Sequence, residues 1–168
     1  MDGLVGTANN DTFNAIETQV AGVATSVWTA GDKIDGGSGT SDTLNVTQTA
    51  AIAAAPVGST VSNVEIVNLT SGANIALNTS TSTAGFTGLT NLNTNAVGGT
   101  ALTTGTGVNV TATDALTAAA FSIAGGKDVT ATLNGVTTGG AAITIGSSTT
   151  AGAVKATVND INTTAVAG

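Results

Sequence analysis

Short pairs of apolar residues recur along the chain from Val61 onward, with Gly, Thr, Asn and Ser between them. The pairs are Val67/Leu69, Ile75/Leu77, Leu89/Leu92, Val108/Val110, Phe121/Ile123, Val129/Leu133, Ile143/Ile145 and Val154/Val158. Every second pair recurs at roughly 20 residues, a spacing typical of stacked repeats. One such unit cannot bury its apolar side chains alone, so neighbouring units must stack. The pattern predicts an all-β fold, a parallel β-solenoid or β-helix-like stack of short strands.

A β-sandwich is the alternative, because it too has short strands at about 8 to 12 residue intervals. The Asn134-Gly135 dipeptide predicts at least one hairpin, since both residues tolerate the backbone angles of a tight turn. Residues 50–55 are rich in alanine and precede the only proline, Pro56. This stretch is expected to be a loop or a short helix that ends before Pro56.

The composition excludes most enzyme classes. Charged residues make up 8 % of the chain, aromatic residues make up 2 %, and His, Cys, Tyr and Arg are absent. No imidazole base, thiolate or guanidinium group is therefore available. The net charge of −7 with only three lysines argues against a nucleic-acid partner. Apolar residues at 41 % and a mean hydropathy of +0.35 favour an ordered chain over a disordered one. We expect a protein that is not an enzyme.

One stretch, Gly31 to Leu44, gathers three aspartates and four glycines in fourteen residues. Its aspartates are Asp32, Asp35 and Asp42. Calcium takes about six to eight oxygen ligands from carboxylates, carbonyls and water. Glycine lets the backbone curl so that carbonyl oxygens point inward. The stretch predicts a calcium-binding turn, and a solvated acidic turn is the alternative.

Two segments match the calcium-binding nonapeptide G-G-x-G-x-D-x-U-x, in which U is apolar. Residues Gly36 to Leu44 match it with one extra residue before Asp42. Residues Gly6 to Phe13 match at the first glycine, at Asp11 and at the apolar position. These segments resemble the repeat-in-toxin (RTX) family. With residues 61–72 and the Thr/Ala/Asn-rich tail, most of the chain resembles the lattice-forming region of Caulobacter-type surface-layer proteins.

This resemblance implies a protein that is exported by type I secretion, folds outside the cell in Ca²⁺ and assembles into a two-dimensional coat. It places Asp11 and Asp42 at the motif aspartate position, and Asp32 and Asp35 in a lead-in where related sequences carry acids. Gly36, Gly37 and Gly39 would supply turn geometry and carbonyl oxygens. Because long nonapeptide arrays are absent, we expect roughly one to three ions.

The two motifs are hypothesised to form one site, in which Asp11 and Asp42 face each other across adjacent turns. Glu65 lies in an apolar strand, where its side chain either points outward or reaches a second ion. Asp114, Asp128 and Asp160 are expected to be solvated acids of turns or loops. Trp28, the single tryptophan, is expected to be a partly buried anchor rather than a ligand platform.

Two continuous portions are predicted: residues 1–60 as the RTX-like calcium-binding cap, and residues 61–168 as solenoid repeats of a larger protein. The expected function is a structural component of a bacterial cell-surface layer or of a large secreted surface protein. The expected partners are calcium ions and further copies or neighbouring domains. No apolar run approaches the ~20 residues that span a membrane, and no signal peptide is expected.

The alternative is an extracellular adhesin module that recognises a glycan or a neighbouring cell. A flat ladder of Thr and Asn is also suited to binding ordered water, as in ice-binding solenoids.

Overall fold

A computed structural model describes residues 3–80, 85–115, 120–135, 142–146 and 152–160, which form sixteen strands and no helix. The strands are β1 (Gly3–Val5), β2 (Thr12–Ile16), β3 (Thr18–Val20), β4 (Val23–Thr25), β5 (Lys33–Asp35), β6 (Thr43–Gln48), β7 (Thr60–Ser62), β8 (Ile66–Ser71), β9 (Ile75–Asn78), β10 (Asn91–Ala96), β11 (Thr100–Thr103), β12 (Asn109–Asp114), β13 (Phe121–Ala124), β14 (Val129–Gly135), β15 (Ile143–Ile145) and β16 (Val154–Asp160). These ranges hold no helix that could cross a membrane.

Three of the four sheets are parallel throughout, and together they make the solenoid. The largest has seven strands in the order β16-β14-β12-β10-β8-β6-β2. A four-stranded sheet has the order β15-β13-β11-β9, and a three-stranded sheet the order β1-β5-β7. Only the β3–β4 pair is antiparallel. This pairing confirms the predicted β-solenoid and is unlike that of a sandwich built from hairpins.

Each coil of the solenoid contributes one strand to the seven-stranded sheet and stacks directly on the next. Equivalent asparagines in neighbouring coils lie 31, 23, 25 and 18 residues apart along the chain, in the pairs Asn14–Asn45, Asn45–Asn68, Asn68–Asn93 and Asn91–Asn109. The strand registers match in spite of these unequal lengths, because the extra residues lie in the connections. β6 pairs with β8, so the large sheet crosses residue 60 without a break.

Columns of like residues fill the interior. One column runs through the seven-stranded sheet and another through the four-stranded sheet. The first contains Leu44, Val67, Leu92, Val110 and Val129, each at most 1 % exposed, and the second contains Leu77, Leu102 and Ile123. Alternate residues of a strand point to opposite faces, which is why most of the apolar pairs of the sequence are spaced two apart.

Trp28 is buried at 4 % exposure and packs edge-on against Phe86, with ring centroids 6.2 Å apart. Phe86 forms a bridge with Val61 of β7 and thereby extends the three-stranded sheet by one coil. Trp28 is therefore a core residue at the solenoid wall, more deeply buried than expected.

One local prediction was wrong, and another had left two alternatives open. Asn134 and Gly135 lie inside β14 in parallel register with β16, and the hairpin turn is formed instead by Ala21 and Gly22, both with positive φ. Asn134 pairs with Asn159 of the next coil and accepts a hydrogen bond from its side-chain amide over 2.7 Å. Residues 50–55 form the loop, one of the two predicted alternatives, and Ile52 within it makes a bridge to Ile75.

Asparagine side chains form a hydrogen-bonded ladder on the outer face of the large sheet. The Asn45 amide donates to Asn14 over 2.9 Å, Asn68 donates to Asn45 over 2.7 Å, and Asn93 donates to Asn68 over 2.8 Å. Each asparagine within the ladder uses one donor and one acceptor, so the bonds also hold the coils in register.

The ladder gives the first prediction. Asn68→Ala leaves Asn45 and Asn93 each without a half-buried partner, so the free energy of unfolding should fall by about 1 to 3 kcal/mol in a urea titration. Thr70→Ala is the matched control, because Thr70 is exposed two residues further along the same strand. Its effect should stay within about 0.5 kcal/mol. Equal losses in the two variants would contradict a stabilising ladder.

Candidate metal centre

Three acidic residues occupy the same position on successive coils, each directly before a strand of the seven-stranded sheet. Asp11 precedes β2, Asp42 precedes β6 and Glu65 precedes β8. The Asp11 amide donates to Asp42 Oδ1 over 2.6 Å, and the Asp42 amide donates to Glu65 Oε2 over 2.8 Å. The structure therefore brings Asp11 and Asp42 together on adjacent turns and adds Glu65 as the third member of this acidic column.

Asp42 is the most deeply buried member of the column, at 0 % exposure. Its Oδ1 accepts the Asp11 amide, whereas its Oδ2 is buried and has no hydrogen-bond partner. Burying a carboxylate oxygen without a partner costs several kcal/mol unless a donor or a cation compensates it. Asp42 Oδ2 is thus an open acceptor inside the protein.

Three glycines let carbonyl oxygens approach closely, Gly36 and Gly39 beside the Asp42 carboxylate and Gly6 beside the Asp11 carboxylate. The space that a side chain would fill at each is called a glycine gap. A Cβ at Gly39 would lie 2.6 Å from the Asn9 carbonyl oxygen and 2.7 and 2.8 Å from the two Asp42 carboxylate oxygens. A Cβ at Gly36 would overlap the Asn63 carbonyl oxygen and lie 2.8 Å from Asp42 Oδ2. One at Gly6 would overlap the Gly36 carbonyl oxygen and lie 2.8 Å from Asp11 Oδ2. At each of these glycines a carbonyl oxygen and a carboxylate oxygen therefore lie close to the same residue.

Hard oxygen ligands of this kind suit Ca²⁺, which accepts carbonyls and carboxylates in flexible geometry. In the described ranges no three acidic side chains lie close enough to share a metal ion. An ion beside Asp42 would therefore depend on the carbonyls of Asn9 or Asn63 for most of its protein ligands.

Asp11 is held by its own turn. The Thr7 amide and hydroxyl both donate to Asp11 Oδ2, over 2.6 and 2.9 Å. Gly37 lies beside this turn with φ of +91°, and a side chain there would overlap the Thr7 carbonyl oxygen. The Ser38 amide donates to that same oxygen over 3.1 Å. Gly37 is thus needed for the close contact between the first two turns.

Asp32 and Asp35 make local contacts instead of joining the acidic column. Asp32 is buried, and its Oδ2 accepts the Thr29 amide over 2.7 Å. Burial alone raises the pKa of Asp32, but hydrogen bonds led by that from the Thr29 amide lower it more, and the net pKa lies below the usual value. Asp32 therefore closes the loop before β5.

Asp35 Oδ1 accepts the Asn63 side-chain amide over 2.8 Å and the Gly37 amide over 3.0 Å. These bonds, the one from Asn63 foremost, hold the pKa of Asp35 below its usual value. Asp35 thereby ties the turn at Gly36 and Gly37 to Asn63 of the next coil, at the edge of the candidate centre.

The remaining acids differ from one another. Asp114 was predicted to be solvated, and this was wrong: it is 0 % exposed at the end of β12 and accepts the Thr100 hydroxyl over 2.7 Å. Asp128 is exposed and accepts the Ala153 amide over 2.9 Å. The side chain of Asp160 lies outside the described residues.

Sequence reasoning left Glu65 open and missed the carbonyls of Asn9 and Asn63. One signal for Glu65 was present, since it stands directly before an alternating strand, as Asp11 and Asp42 do. Asn63 has φ of +51°, which turns its carbonyl toward the gap at Gly36. No sequence pattern predicts that backbone angle, although asparagine adopts it more readily than most residues.

No protein-family model matches the chain, and no curated protein matches it. The RTX and surface-layer resemblance therefore stays a prediction.

The glycine gaps give the second prediction. Gly36→Ala places a methyl group on the Asn63 carbonyl, so the turn must move, and the free energy of unfolding should fall by about 1 to 3 kcal/mol in a urea titration. Gly107→Ala is the matched control, because a Cβ there would meet nothing within 4 Å. A Gly36→Ala protein as stable as the control would show that the gap is not needed.

The third prediction concerns acid. The pKa of Asp35 in the folded protein lies below its ordinary value of 3.8. The ionised carboxylate therefore stabilises the folded state at higher pH, and this stabilisation is lost as the pH falls through the pKa of the folded state. In chelator, Asp35→Asn should melt below the wild type at neutral pH. The gap between the two melting temperatures should shrink below about pH 4. A gap that stays constant with pH would exclude a contribution from the Asp35 charge.

Proposed function

We propose that this protein is a calcium-stapled structural solenoid of a bacterial cell-surface layer or of a large secreted surface protein. The observation that carries the proposal is the buried Asp42 Oδ2, which has no hydrogen-bond partner. The Asn63 carbonyl oxygen lies close to Gly36, and the Asn9 carbonyl oxygen lies close to Gly39, the two glycines that also lie close to Asp42 Oδ2. Calcium supplies the compensation that Asp42 Oδ2 lacks.

The position of the acidic column explains what the ion would do. Asp11, Asp42 and Glu65 belong to three successive coils that are linked by the amides of Asp11 and Asp42. An unfolded chain does not bring these groups together, so calcium binds the folded state and adds its binding free energy to stability. In low calcium the same column repels itself, within a chain whose net charge is −7. Calcium thus favours folding at the N-terminal coils, from which the stack continues.

A structural role is supported by the rest of the chain. The interior is filled by ladders of aliphatic side chains, and the outer face of the large sheet carries Thr and Asn. Such a stack is a rigid spacer whose ends and faces are available to neighbouring domains or copies. The alternative of an adhesin module for a glycan stays a prediction, because no described feature favours it.

The fourth prediction tests the ion. Calcium at 100 times its dissociation constant adds about 2.7 kcal/mol, so the melting temperature should rise by about 5 to 11 °C over that in EDTA. Asp42→Asn should abolish this rise, because an amide nitrogen replaces a ligand oxygen. In EDTA the variant should be at least as stable as the wild type, since it removes an uncompensated buried charge. Magnesium at equal concentration is the control ion.

Asp128→Asn is the matched control, because Asp128 also precedes a strand of the same sheet and also lies close to a glycine, Gly152, but is exposed. It should keep the full response to calcium. Equal melting temperatures of the wild type in calcium and in EDTA would overturn the metal centre. The structural role is tested separately by electron microscopy of calcium-loaded protein. Stabilisation by calcium without the formation of sheets or filaments would support the metal centre and contradict self-assembly of this chain.

A further inference from the structure

Two columns of side chains, all polar except Ile16, cover the outer face of the seven-stranded sheet, and the metal centre does not use them. The first column contains Asn14, Asn45, Asn68, Asn93, Thr111, Thr130 and Lys155, and the second contains Ile16, Thr47, Thr70, Asn95, Thr113, Thr132 and Thr157. We call these two columns the Thr/Asn face. Members of a column are direct register partners on neighbouring strands, so the face is a regular array.

The threonine hydroxyls of this face are free to bind outside groups. Thr47, Thr70, Thr111, Thr130 and Thr157 are exposed, and Thr113 and Thr132 are half-buried. Their side chains make no hydrogen bond to a described residue. Threonine is stiff at χ1, and the asparagines of the first column are fixed by their mutual hydrogen bonds. The array is therefore ordered before any ligand arrives, which lowers the entropy cost of binding.

The charge of the face selects a neutral ligand. Lys155 is the only charged residue in the two columns, although the chain as a whole carries −7. Nucleic acid requires a field of cations, and protein hot spots are built from Trp, Tyr and Arg, none of which stands in either column. The ligand that remains is uncharged, periodic and rich in hydrogen-bonding groups.

Ordered water has the matching repeat. Neighbouring strands are about 4.8 Å apart, and residues two apart on a parallel strand are separated by about 6.6 Å. In a tetrahedral water lattice with an O···O distance of about 2.75 Å, oxygens two bonds apart lie about 4.5 Å from each other, and the layers repeat at about 7.3 Å. Both spacings of the face agree with this lattice to within about a tenth.

We propose that the Thr/Asn face binds the surface of ice through its ordered threonine hydroxyls and asparagine amides. This inference goes beyond the proposed structural role, since a calcium-stapled spacer needs no particular outer face. In this proposal the hydroxyls take the positions of lattice oxygens, and the threonine methyl groups exclude disordered water. Calcium acts only indirectly, by holding the coils in register.

The experiment measures thermal hysteresis and the shape of ice crystals with the wild-type chain in calcium. We expect a freezing point below the melting point and faceted crystals. Thr111→Tyr places a large ring in the middle of the face and should remove most of the hysteresis without changing the melting temperature of the protein. Thr103→Tyr is the matched control, because Thr103 is exposed at the end of β11 in the four-stranded sheet. It should retain the wild-type hysteresis.

Absence of hysteresis in the wild type would overturn the proposal, and so would equal hysteresis in Thr111→Tyr and the wild type. Should Thr111→Tyr fail to fold, Thr130→Tyr makes the same change one coil further along. A calcium-dependent rise in melting temperature without ice binding would leave the metal centre intact and remove this inference alone.

Discussion

Parallel stacking in register is the constraint on which the rest of the structure depends. Each residue of a strand lies directly over its counterpart about 4.8 Å away, so any side chain must tolerate a near copy of itself as a neighbour. Aliphatic side chains do so by packing, as Leu44, Val67 and Leu92 show. Asparagines do so by donating one amide proton to the next coil. Like charges repel at that distance, which explains why only 8 % of the residues are charged.

The acids that remain lie mostly where strands end, because there a carboxylate can accept a backbone amide of the adjacent coil. Glu17 accepts the Thr49 amide, Asp42 accepts the Asp11 amide and Asp128 accepts the Ala153 amide. The candidate metal centre is an elaboration of this arrangement. Asp42 uses one oxygen for the neighbouring coil and keeps a second, buried oxygen that no described donor reaches. Glycines on both sides let carbonyl oxygens approach it.

The same stacking separates two proposed roles in space. Corner residues of the first three coils would bind an ion and fix the register, whereas outward residues of the large sheet form an array that extends over all its strands. The candidate metal centre and the Thr/Asn face depend on each other only through the register of the coils. The two proposals can therefore fail independently, because calcium affinity rests on Asp42 and its carbonyls while the outer array rests on threonine side chains.

The sequence by itself determined an all-β fold and favoured a solenoid over a sandwich, because short apolar pairs repeated at about 20 residues are typical of stacked units. It also placed Asp11 and Asp42 on adjacent turns, through two copies of one glycine-aspartate pattern. Only the tertiary structure decided the rest of the candidate site. Asp32 accepts the Thr29 backbone amide, and Asp35 accepts the Gly37 backbone amide and the Asn63 side-chain amide, so neither carboxylate joins the acidic column. Burial of Asp114, the parallel strand at Asn134-Gly135 and the carbonyls of Asn9 and Asn63 follow from which coil lies above which. The connections between coils differ in length, and no local sequence pattern predicts which residues they bring together.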